Sequence, residues 1–297
     1  MSDDLAIILT AGLVGTACGL LGPFLILRRV ALLSDAVSHA VLPGIVVVFV
    51  LFGSRAPLPV IAGAAVFAVI CVLAIDGLRS TGLVRADAAI GLIFPALFAL
   101  GVIGINTFAE GAHLDLDATI YGEIAFAPFR TEALLGAEVP RSVLLLGAIS
   151  LVNLALLLFL WKELKLTSFD AGYAKVSGFS PTLVSRLLLI AVATTAVTAF
   201  ESVGAILVVT MLIVPAATAY LLTDRLSTMV VLSVGVGWVA AVAGHSVASS
   251  LDASIAGAMG LAASVCFLLA LLAAPRYGLA ARSLRRRSRR RAYAPGA

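Results

Sequence analysis

Charge is scarce in this chain: Asp, Glu, Lys and Arg make up 12% of its 297 residues, against about 25% in soluble domains. That shortage excludes an ordinary water-soluble globule. No G-x-x-x-x-G-K-[ST] loop occurs, so the chain does not itself use ATP in the P-loop manner, and no H-E-x-x-H helix marks a zincin-type protease. Cysteine is rare as well. Cys18, Cys71 and Cys266 lie singly in apolar runs, which excludes both a disulfide framework and a thiolate metal site and leaves them as small core residues. The first apolar run follows Asp3 and Asp4 rather than a basic region and is too long for a cleavable signal, so it is expected to remain as a span. No polar stretch is large enough to hold a catalytic domain, so the chain is not expected to be an enzyme.

What fills the chain is apolar. Hydrophobic residues reach 62% and the mean hydropathy is +1.14. Apolar runs recur along the whole length, each near the roughly 20 residues that cross about 30 Å of hydrocarbon. They are Leu5 to Leu27, Val30 to Phe52, Leu58 to Ile75, Ala88 to Ile105, Ser142 to Trp161, Val184 to Phe200, Ser202 to Leu222, Thr228 to Gly244 and Ser254 to Ala274. The expected fold is an all-α polytopic membrane protein with about nine transmembrane helices, or eight if one of the runs flanking Glu201 is re-entrant, and with broken or kinked helices near Pro43 and Pro215. Residues 1–275 form one transmembrane domain and 276–297 a basic tail.

Basic residues orient the spans. Eight arginines crowd into Arg276 to Arg291, and with that tail in the cytoplasm 17 of the 20 Lys and Arg residues fall inside. Only Arg55, Arg130 and Arg141 fall outside, where the loop from Asn106 to Arg141 carries Glu110, Asp115, Asp117, Glu123, Glu132 and Glu138. The expected location is the cell membrane, with the N terminus outside and the C terminus inside. The net charge of +4 comes mostly from the tail, whose arginines suit anionic lipid headgroups rather than nucleic acid.

Within the second apolar run, SDAVSHAVLPG (Ser34 to Gly44) places Asp35 and His39 one helical turn apart on one face. An ionisable group inside a span is costly and marks a functional hypothesis. Pro43 lacks the amide that would close on the carbonyl of His39, so a backbone oxygen joins an imidazole and a carboxylate, ligand types suited to a divalent transition metal. From spacing alone, a metal or proton role and simple pairing with neighbouring helices stand side by side. His39 lies ten residues past Arg29, about 15 Å along a helix, and transporters favour substrate sites at that depth. Glu201 and His245 are further candidates for a pathway or gate, against the plainer reading of interfacial residues. Pro95 and Pro215 free the carbonyls of Gly91 and Met211 and allow gating bends. His113, Asp115 and Asp117 read most simply as a solvated cluster. Gly15 and Gly19 form a G-x-x-x-G element for close packing inside the bundle.

The inner loop holds FDAGYAKVSGF (Phe169 to Phe179), where Asp170 caps a short helix and Gly178 ends it in the left-handed conformation. A helix of two turns needs a partner surface. A motor subunit gripping it and an amphipathic connector lying on the membrane are the two readings.

LRRVALLSDAVSHAVLPGI (Leu27 to Ile45), the FDAGYAKVSGF loop and VGAILVVTMLIVPAATAYLLT (Val203 to Thr223) together resemble the membrane permeases of ABC importers for zinc, manganese and iron. ADAAIGLIFPALFALGV (Ala86 to Val102) and LDLDATIYGEI (Leu114 to Ile124) look like the family's intermediate motifs. Glu123 stands where the family often has aspartate, and Asp252 leads into ASIAG without the family's usual proline. The resemblance implies a permease paired with a second copy, cytoplasmic ATPase subunits docked at Phe169, Asp170, Ala174 and Gly178, and an extracytoplasmic metal-binding protein. It tilts Asp35 and His39 toward the metal path, with Pro43, Glu123, Glu201, Pro215 and His245 as pathway or gate candidates. The expected function is a permease for a divalent transition-metal ion carried as substrate, with no tightly bound cofactor. A permease for a chelated metal and an ion-coupled secondary carrier are the alternatives; the latter has no use for an ATPase-docking helix.

Overall fold

The computed structural model describes residues 2–52, 57–108, 124–134, 137–274 and 278. Glu123, the His113 to Asp117 cluster and the tail arginines lie outside the described residues. Among the described residues nine segments are long and apolar enough to cross a membrane. In chain order the elements are α1 (Asp3–Leu27), α2 (Leu33–Ala40), α3 (Leu42–Phe52), α4 (Pro57–Ser80), α5 (Ala86–Phe108), a 3₁₀ turn (Ile124–Phe129), strands β1 (Thr131–Leu134) and β2 (Ala137–Pro140), then α6 (Arg141–Phe159), α7 (Trp161–Phe169), α8 (Ala171–Val176), α9 (Pro181–Val203), α10 (Ala205–Leu222), α11 (Leu226–Leu251) and α12 (Ile255–Ala273). The short antiparallel β1–β2 hairpin is the one departure from an all-helical chain among these residues. The Arg141 amide closes it by donating to the Arg130 carbonyl.

Every span but the second, whose α2 carries Asp35 and His39 on one face, is apolar nearly all round, so burial rather than pattern decides position. α1 is the central post: from Ala17 to Leu25 every residue is buried, and it packs on α6, α9, α10 and α11. Close contact with α11 needs residues without side chains. A Cβ on Gly15 would stand 3.0 Å from the Gly237 backbone, and one on Gly19 would stand 3.0 Å from that of Val234. The G-x-x-x-G element therefore works inside the bundle.

Polar side chains stitch the same post to its neighbours. Asn153 Nδ2 donates to the Ala17 carbonyl at 3.2 Å and to Thr195 Oγ1 at 2.8 Å, while Trp238 Nε1 donates to Thr16 Oγ1 at 3.0 Å. In an apolar surrounding each such bond contributes about 0.6 kcal/mol. Cys18 and Cys71 are buried and Cys266 is half-buried; all are free thiols.

The second span is interrupted where Pro43 predicts. α2 ends at Ala40 and α3 begins at Leu42, with Pro43 in the first turn, where a missing amide hydrogen costs little. Val41 keeps helical angles (φ −68°, ψ −33°), and its carbonyl accepts from both Gly44 N and Ile45 N. The two pieces therefore run on as one span with a gap in its hydrogen-bond ladder. α10 runs unbroken through Pro215. The break near Glu201 falls instead at Gly204 (φ 83°), which alone separates two full spans, α9 and α10. Among the described residues that makes nine spans rather than eight.

Candidate metal path and docking helix

Leu33, Ala36, Val37 and Ala40 recur at helical spacing in α2 and are all buried, against α4, α5 and α9. The geometry of a helix then turns Asp35 and His39 outward. Asp35 Oδ1 lies 3.8 Å from His39 Nε2, and the two side chains are 54% and 49% exposed. Burial on one face thus leaves a carboxylate and an imidazole uncovered in the first two turns of an apolar span; because residues 28–32 form a turn and the helix starts only at Leu33, the pair is shallower than counting along a helix from Arg29 predicts. The histidine ring is stacked on Phe94 (centroids 5.7 Å apart) and meets Phe98 edge-on (5.9 Å). Phe94 and Phe98 are one turn apart on α5, an i, i+4 aromatic pair in the sequence that reading for charge alone overlooked.

The other candidates lie apart from this pair. Glu201 faces Arg141 Nη2 at 3.7 Å, and Arg141 Nε lies 3.6 Å from Glu132, so Glu201 is tied to the start of α6 and the hairpin. His245 is buried and its Nε2 meets Asp4 Oδ1 at 3.1 Å, linking α11 to the first turn of α1. Among the described residues no group of three or more His, Cys, Asp or Glu side chains gathers to hold a metal ion. The pair on α2 offers two donors, an incomplete coordination shell for a divalent cation.

The short helix α8 has the expected caps. Asp170 Oδ1 accepts from Tyr173 N at 2.8 Å, and Gly178 lies at φ 87°. Gly178 N donates to the Lys175 carbonyl and Phe179 N to that of Ala174, the two bonds of a Schellman ending. Only glycine takes that backbone without strain. Ala174 is fully buried, whereas Phe169, Tyr173 and Val176 are 60%, 61% and 87% exposed. α8 thus anchors one side to the bundle and offers apolar side chains on the other.

The model of the ABC 3 transport family matches residues 5–274. The chain belongs to that family. It is 41% identical over 286 residues to the manganese transport system membrane protein MntD of Bacillus subtilis, covering 96% of this chain and 97% of that one. It is 42% identical over 278 residues to the zinc transport system membrane protein TroD of Treponema pallidum, covering 94% of this chain and 76% of that protein. Among solved structures it is similar to PsaBC from Streptococcus pneumoniae in complex with Fab, with a TM-score of 0.76 at 32% identity over 95% of this chain and 94% of that one. As a family member the chain is an ABC transporter permease, a multi-pass membrane protein.

Proposed function

We propose that this chain is the permease of an ATP-driven importer that moves a divalent transition-metal ion by alternating access, with Asp35 and His39 lining the path. One observation carries the reading: two metal-ligating side chains stand about half exposed in the first two turns of a span, where lipid contact is expensive for either. A second copy of the permease facing this surface covers them and brings a second Asp35 and His39, completing a shell of oxygen and nitrogen donors. Manganese and zinc are the cargoes named for the relatives, and the same donors suit iron(II). The metal is substrate, its hydration shell replaced in part by these donors within the membrane, and it leaves again when the permease opens to the other side.

The apolar face of α8 supports docking of an ATPase subunit, and the family supports an extracytoplasmic binding protein as donor. In the reconstituted complex, ATP hydrolysis is expected to rise when the binding protein is loaded with the cognate metal. Metal moved into vesicles without any ATPase would overturn the reading in favour of a secondary carrier. The orientation is testable in intact cells. In a Cys266→Ser background, a membrane-impermeant thiol reagent is expected to label Asp252→Cys and not Lys175→Cys; labelling at 175 would invert the topology and remove the ATPase contact.

A further inference from the structure

α1 ends in a tightly bonded turn. Arg29 adopts φ 57°, the left-handed conformation that usually favours glycine, and the helix closes with Arg29 N donating to the Ile26 carbonyl and Val30 N to that of Leu25. Val30 and Leu25 are both buried in one apolar cluster. Leu33 N then donates to the Val30 carbonyl and Ala36 N to that of Leu32, so the ladder passes from the end of α1 into α2 with little slack. Asp35 follows within the first turn of α2.

The residue at the head of that turn reaches across to another part of the chain. Arg28 Nε donates to Ser168 Oγ at 3.1 Å and Arg28 Nη2 to Thr167 Oγ1 at 2.8 Å, 140 and 139 residues away. Both hydroxyls are held by their own helix, Ser168 Oγ donating to the Leu164 carbonyl and Thr167 Oγ1 to that of Glu163. The guanidinium thus sits at the C-terminal turn of α7, where a helix dipole favours a cation. Burial and the nearby Arg79 push Arg28 down to about 10, with Asp76 opposing; it stays charged at neutral pH. One residue beyond α7, Asp170 begins α8.

We infer that Arg28 is a positioning residue that transmits movement of the docking helix to the metal path: α8 to α7, α7 through the Arg28 fork to the end of α1, and the bonded turn to α2 with Asp35 and His39. The inference rests on the proposed docking of an ATPase on α8. A planar fork spanning two neighbouring hydroxyls resists sliding in a way that apolar contact does not, and a lysine, as a point charge, does not reproduce it. α9 packs directly on α2 and offers a competing apolar route.

The test uses the full importer in proteoliposomes with its ATPase and binding protein, reading metal moved per ATP hydrolysed and, separately, ATPase retained on the purified permease. Arg28→Ala is expected to keep the ATPase bound and hydrolysing while metal moved per ATP falls about tenfold or more, the scale of losing hydrogen bonds to a charged group. Arg28→Lys is expected to give an intermediate ratio. Should Arg28→Ala not reach the membrane, the Thr167→Val/Ser168→Ala double variant removes the same contacts from the other side and is expected to show the same loss. Combining it with Arg28→Ala is expected to add nothing. A wild-type ratio in Arg28→Ala or in the hydroxyl double variant, with ATPase bound, overturns the role of Arg28 alone and assigns transmission to α9. ATPase lost from Arg28→Ala makes it a docking residue and also overturns the inference. Failure of the wild-type permease to retain an ATPase overturns the proposed function itself.

Discussion

Metal uptake by the Asp35→Asn variant is expected to fall about tenfold or more, since even residues that merely support metal ligands cost 10–100-fold when changed, while the protein still folds and binds its ATPase. The amide has nearly the shape of the carboxylate, and the packed face of α2 is Leu33, Ala36, Val37 and Ala40, so the substitution leaves the helix seated. What changes is charge. A neutral amide compensates a dication poorly for lost water. His39→Ala is expected to fail to a similar degree through loss of a nitrogen donor, with at most about 3 kcal/mol lost from the two ring contacts on Phe94 and Phe98. The two outcomes discriminate sharply. Were the pair structural, the amide would be tolerated far better than truncation of the ring. The measurement is radiometal uptake normalised to membrane-inserted protein, and near-normal uptake by Asp35→Asn would return the pair to a structural role.

A graded series at Gly178 is expected to separate ATP hydrolysis from transport. Nothing lies within 4 Å of a Cβ built at this position, so a side chain meets no clash; the cost comes from φ 87° alone. A β-branched residue there costs about 1–3 kcal/mol. A six-residue helix has little cooperativity to absorb such a cost, whereas the transmembrane bundle does not depend on it. Gly178→Val should therefore misplace α8, uncouple ATP hydrolysis from uptake and leave the protein in the membrane. Gly178→Asn should retain most coupling, because asparagine tolerates the left-handed region, and Gly178→Ala should fall between. Normal uptake by a well-expressed Gly178→Val permease would remove α8 from the coupling mechanism.

Local chemistry explains what could be read without a fold. Bilayer thickness sets the length of an apolar run, and the nine runs match nine helical segments because a backbone in lipid satisfies its hydrogen bonds within its own helix. Asp35 and His39 share a face by helical spacing. Asp170 and Gly178 bound α8 because caps act within a turn of themselves. The hairpin β1–β2 escaped notice, since its four-residue strands carry no strong alternation and it is closed by a backbone bond between Arg130 and Arg141.

Partners across the chain are another matter. In a helix apolar on every side, composition does not distinguish a face that meets lipid from one that meets protein, so the sequence determined the spans, their caps and the shared face of Asp35 and His39 but not how the helices are arranged. Packing in three dimensions makes α1 the central post, sets Phe94 and Phe98 against His39, joins His245 to Asp4 from 241 residues away and pairs Glu201 with Arg141. Arg28 shows the same limit most plainly. As one of two adjacent arginines it reads as a topology signal for the membrane surface, and its role follows only once packing brings α7 beside the end of α1, because a hydrogen bond depends on distance in space and carries no trace in sequence spacing.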